Sequence, residues 1–106
     1  MPYIEERHRQ KFDPLIDRLS EEIVSETAED KLALAGFLNY VCTRTILKVV
    51  KLRFGKMQYW ILAIITGVLV NILLEIYRRI GIPYEEQKTR ENGDMDMFKE
   101  FTQEGE

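Results

Sequence analysis

The side chains richest in chemistry lie in the second half of the chain, where Glu75, Arg78 and Arg79 are followed by Tyr84, Glu85 and Lys88. Two guanidinium groups beside carboxylates, a phenol and an ammonium suit an anion such as a phosphate or a nucleotide, because the planar guanidinium fork matches two oxygens at once. Asn39, Tyr40 and Thr43 join this set if the helices that carry them are antiparallel neighbours. The same residues have a plainer use. Glu75 and Arg79 are spaced to pair along one helix face, and Asn92-Gly93 is suited to ending a helix.

A second set is purely cationic. Arg44, Lys48, Lys51, Arg53 and Lys56 follow one another with no acid between them, which suits contact with a phosphate backbone. Phe54 is the one aromatic residue among them for base stacking, and no helix-turn-helix pattern accompanies them. Acids also recur in groups: Asp13, Asp17 and Glu21; Glu26 with Glu29; Glu91 with Asp94. All-α nucleotide pyrophosphatases hold magnesium through helical carboxylates, but they gather those acids inward from two helices. The acids here lie opposite apolar faces or in turns and read as solvated surface, so neither a metal nor a cofactor is expected. Cys42 on an apolar helix face reads as packing, and His8 as a surface residue. One cysteine and one histidine supply neither an internal disulfide nor a Cys/His zinc set, and the expected setting is reduced and cytoplasmic. No basic stretch followed by an apolar run opens the sequence, so no secretory signal is read there.

The elements that must position these groups are helical. The 106 residues suit a single core, and 45% hydrophobic with 31% charged residues is a folded composition; the net charge of -3 gives no bulk attraction to nucleic acid. Asp13-Pro14 predicts a helix start, with Leu15, Ile16, Leu19 and Ile23 on one face and Asp17, Arg18, Glu21 and Glu22 on the other. Residues 4–12 could form a short helix of their own. Residues 25–31 read as a connection, and Gly36 places the start of a second helix at Phe37. That helix, residues 37–54, has Leu38, Val41, Cys42, Thr45, Ile46, Val49 and Val50 on its apolar side and Arg44, Lys48 and Lys51 opposite. Gly55 predicts a tight turn into an antiparallel third helix, residues 57–80.

Residues 57–74 carry no charge, a length at the lower edge of a membrane span, for which about 20 apolar residues are needed. Gln58, Thr66, Gly67 and Asn71 interrupt the run and basic residues flank both ends, so the preferred reading is a soluble helix buried on most sides. A chain this small has few helices to cover it. A second copy is the expected cover, with Ala63, Gly67 and Asn71 forming a small-residue stripe. Gly81 and Pro83 predict a helix stop, followed by a short helix from Pro83 to Asn92-Gly93. The expected fold is therefore all-α: a small bundle of three main helices plus short terminal helices, homo-oligomeric with a dimer first. Residues 1–94 form one domain and 95–106 an acidic extension, which Met95, Met97, Phe98 and Phe101 could anchor.

Several pieces of the chain, in order, carry a resemblance. They are Met1-Pro2-Tyr3-Ile4, Asp13-Pro14-Leu15-Ile16, Leu38-Asn39-Tyr40 with Thr43, Gly67 with Leu69, Glu75-Ile76-Tyr77-Arg78-Arg79, Pro83-Tyr84-Glu85 with Lys88, and Glu91-Asn92-Gly93-Asp94. With these the sequence resembles a family of short uncharacterised proteins of prokaryotes and phages, classed as a domain of unknown function. The sequence departs from that family's expected pattern near Val70 and Leu73, where more polar residues are expected, and in the acidic tail. The resemblance implies a helical fold and no known activity. Three functional readings follow from the residues. The first is an oligomeric helical interaction protein. The second is an anionic-ligand binder or small enzyme of the nucleotide or phosphate class, using the polar cluster. The third is a phosphate-backbone binder using the basic helix.

Overall fold

The computed structural model describes residues 2–103, and all regular structure among them is helical. The chain divides into two compact units, one ending at Val68 and the other beginning at Leu69.

In the first unit α1 (Glu6–Glu26) runs unbroken through Pro14, so the helix start expected at Asp13-Pro14 is corrected to Glu6. Proline removes one backbone donor and crowds the preceding turn, which costs about 3 kcal/mol in a helix interior. The flanking sequence overrides that penalty. Residues 5–11 are mostly good helix formers, Arg9 pairs with Glu6 at 3.0 Å, and Phe12 extends the stripe of Ile16 one turn upstream. The helix ends at Thr27, which is buried; its hydroxyl donates to the Ile23 carbonyl at 2.8 Å and its N–H donates to the same oxygen at 3.1 Å.

Asp30 then opens a 3₁₀ turn (Lys31–Ala33) by accepting from the Leu32 N–H at 3.1 Å. The turn leads straight into α2 (Leu34–Phe54), so this helix starts three residues earlier than the sequence suggested. Gly36 falls in its first turn, where the donors have no intrahelical partners and a glycine costs little. α1 packs on α2. Gly55 ends α2 with φ of 82° and donates to the Lys51 carbonyl at 2.9 Å, the left-handed stop that glycine permits without a Cβ penalty. The expected tight turn follows, and α3 (Tyr59–Ile76) begins at once. The corner is stapled by Phe54 and Trp60, whose rings meet edge to face with centroids 5.2 Å apart, while Trp60 Nε1 donates to Gln58 Oε1 at 2.7 Å.

The second unit holds the end of α3, α4 (Ile82–Asn92) and α5 (Asp96–Gln103). Gly81 and Pro83 do not stop the helix as expected. Instead, a π turn (Tyr77–Gly81) joins α3 directly to α4, with the Ile82 N–H donating to the Tyr77 carbonyl. The wider turn fits the sequence physically: Pro83 has no N–H to donate, and a turn of longer period relieves its ring of the carbonyl it would meet in a regular helix. Helical structure therefore continues from Tyr59 to Asn92. Gly93 closes α4 with φ of 86°, in line with the expected Asn92-Gly93 end. α5 lies in the acidic extension; Met97, Phe98 and Phe101 on it are exposed, and residues 104–106 lie outside the described part.

Burial is sparse. Ile23, Val50 and Ile61 are the buried hydrophobic residues among those described, whereas Leu15, Ile16, Leu19, Leu38, Val49 and most of α3 are exposed. Cys42 is also exposed, which corrects its reading as a packed residue. The apolar stripes are present at helical spacing, but within the described chain little covers them.

Candidate functional site

The polar cluster follows the path of the helix that carries it. Glu75, Arg78, Arg79, Tyr84, Glu85 and Lys88 all lie in the second unit, on the end of α3, the π turn and α4. Glu75 Oε1 accepts from Arg78, with Nε at 3.1 Å and Nη2 closer still. The partner expected for Glu75 was Arg79, and the structure corrects this to Arg78. Residues three and four positions on are both within reach of a helical carboxylate. One Glu75 oxygen takes two donors of the Arg78 fork, leaving Arg79 without a hydrogen bond or ion pair among the described residues. The Glu75 side chain is 18% exposed and that of Arg78 is 60% exposed, so the pair straddles the surface.

Further along, the Lys88 ammonium sits 5.6 Å from the Tyr84 ring centroid and 3.4 Å from Glu91 Oε2. Thr89 donates its hydroxyl to the Glu85 carbonyl at 2.8 Å. These are neighbouring contacts along a helix. Glu75 with Arg78, and Tyr84 with Lys88, are thus brought together as two separate local pairs.

Asn39 and Tyr40 belong to the first unit. Tyr40 shares an open groove of about 480 Å³ with Thr43, Arg44, Leu47, Lys48 and Lys51. A second groove of about 370 Å³ adds Leu19, Val41, Thr45 and Val49, so α1 forms part of its wall. Arg44, Lys48 and Lys51 therefore lie on one face of α2 with Tyr40 and Leu47. Tyr40, expected with the anion cluster, stands on this basic face instead, and Leu47 joins it; the spacing 40, 44, 47, 48 and 51, one helical face, is the signal that links them. Arg53 and Lys56 continue the positive run to the α2–α3 corner, where the Arg53 guanidinium lies 5.1 Å from the Phe54 ring centroid. No group of three His, Cys, Asp or Glu residues is arranged to hold a metal ion among the described residues.

Two helical stretches, Lys31–Phe54 and Tyr59–Asn92, are long and apolar enough to cross a membrane by length and composition. Such helices also occur in the cores of soluble proteins, so this property alone assigns no location.

No curated protein and no solved structure matches the chain. A family described as Domain of unknown function (DUF6899) matches residues 1–95, which includes the polar cluster and the basic run and leaves α5 beyond the match. By that match the protein belongs to this family, the domain of unknown function DUF6899.

Proposed function

We propose that this protein is a self-associating helical module in which a second copy completes the three-helix bundle. On this reading residues 1–94 act as one domain, with residues 95–106 as an extension. The observation that carries it is the exposure of Leu15, Ile16 and Leu19 on α1, at 62%, 55% and 43%. α1 also carries Asp13, Asp17, Arg18, Glu21 and Glu22, too many charges for a spanning helix and too acidic for an anionic bilayer surface, so a protein surface is the cover that suits it.

The scale of the exposed surface supports the same reading. Phe12, Val24, Val49 and Leu52 add to the same exposed apolar surface of the first unit. A standard interface covers about 800 Å² per partner and an obligate one more, so self-association is a cover of suitable size. Gly67 is open as well: a Cβ built there meets nothing within 4 Å, which leaves room for the close approach of another helix. The anionic-ligand reading has less support, because the contacts of Glu75, Arg78, Tyr84 and Lys88 are with near neighbours on the helix.

Light scattering on the full chain at micromolar concentration tests the proposal. The expected mass is a multiple of 12.6 kDa. Leu19→Glu should lower that mass while far-UV circular dichroism stays helical. A wild-type monomer, or protein released from membranes only by detergent and not by raised salt, would overturn it.

A further inference from the structure

We propose that the corner between α2 and α3 is a docking surface for an anionic lipid bilayer. The region around it is strongly one-sided in charge: residues 31–74 contain Lys31, Arg44, Lys48, Lys51, Arg53 and Lys56 and no acid. At the corner itself Lys51, Arg53 and Lys56 are exposed, and none of them forms an ion pair among the described residues. Interleaved with them are Leu52, 75% exposed, and Tyr59, 87% exposed, together with Phe54, Met57 and Trp60.

Basic residues alternating with exposed aliphatic and aromatic side chains match the two layers of a bilayer surface. The ammonium and guanidinium groups meet anionic headgroups, while Trp and Tyr suit the boundary between headgroups and acyl chains. Nucleic acid is the other polyanion that the charge would suit, and the apolar residues argue against it. Leu52 and Met57 offer no hydrogen bond to a base edge and no charge to a phosphate. Phe54 and Trp60 pack on each other edge to face, with Arg53 against Phe54, so the rings are not laid out as a platform for successive bases. The geometry of the corner supports a surface attachment. Gly55 turns the chain sharply, and the Phe54–Trp60 contact and the Gln58–Trp60 hydrogen bond hold the apolar side chains next to the charges. This inference does not depend on self-association.

Trp60 is the only tryptophan, so its fluorescence reports the corner directly. The full chain is mixed with vesicles of phosphatidylcholine alone, with vesicles containing phosphatidylglycerol, and with a DNA duplex. The expected result is a blue shift of the emission, and co-sedimentation, with the anionic vesicles only, reversed by raised salt. Replacing Lys51, Arg53 and Lys56 together by Gln should weaken vesicle binding on the order of 100-fold, from the usual contribution of each basic residue near an anionic surface. Tyr59→Ser, a single exposed change, should also weaken it while circular dichroism remains that of the wild type. Equal binding to both vesicle types, a shift with DNA alone, no shift at all, or membrane association that resists raised salt would each overturn the proposal.

Discussion

Gly81 lies against the ring of Tyr77 so closely that a Cβ built on it would stand 2.6 Å from Cδ2 and 3.1 Å from Cγ. A side chain at position 81 would therefore oblige the half-exposed Tyr77 ring to move. Gly81→Ala gains about 1 kcal/mol of helix propensity but displaces the Tyr77 ring, and an off-rotamer side chain costs about 0.5–1.5 kcal/mol. The expected outcome is that Gly81→Ala stabilises the protein more when Tyr77→Ala is also present than in the wild type. Denaturant unfolding of the four variants of the cycle measures this, and an additive result would rule out the coupling.

Arg78 and Arg79 should differ in their effect on stability. Arg78→Ala removes both donors to Glu75, and an exposed helical pair of this kind contributes at most about 1 kcal/mol. Arg79→Ala removes no such contact and should change stability by less than about 0.5 kcal/mol. Thermal unfolding of the two variants checks the order; a larger loss from Arg79→Ala would contradict the observed pairing.

Pro14 sits inside α1 at a cost that alanine does not carry. Pro14→Ala restores a backbone donor and should stabilise the protein by about 1–3 kcal/mol, with no loss of helical circular dichroism. A fall in melting temperature would mean that the proline ring itself is needed for packing.

Thr27→Val keeps the volume of a buried side chain and deletes the hydroxyl that donates to Ile23. A loss of about 0.5–1.5 kcal/mol is expected, the usual net value of one such hydrogen bond. Because the Thr27 N–H still donates to the same carbonyl, the oxygen keeps one partner. Urea unfolding of Thr27→Val measures the loss, and a neutral result would show that the backbone bond alone is sufficient.

The sequence by itself determined the all-helical class, the stop at Gly55, the short α2–α3 turn and the end of α4 at Gly93. These follow from interactions within a few residues: helical spacing of apolar side chains, and glycines that accept positive φ where a helix must end. The family was also legible, because its motifs are spread along the chain in order. Pro14, Gly81 and Pro83 were read as boundaries because each is a local breaker, and the structure carries the helix through all three. What decided them was the helical sequence on both sides and, at Gly81, a π turn that local propensity does not encode. The partner of Glu75 belongs to the same class, since two arginines lie within reach and only side-chain rotamers in three dimensions choose between them. Helical spacing groups Tyr40 with Arg44, Leu47 and Lys48, but the wall that Leu19 of α1 adds beside Tyr40 and Arg44 needed the folded chain, because a groove is a property of a surface and its neighbours. Periodicity identified which residues are apolar together, but not what covers them. Burial depends on the distance to other atoms, and in the described chain those atoms reach Ile23, Val50 and Ile61 while leaving Leu15, Ile16 and Leu19 open.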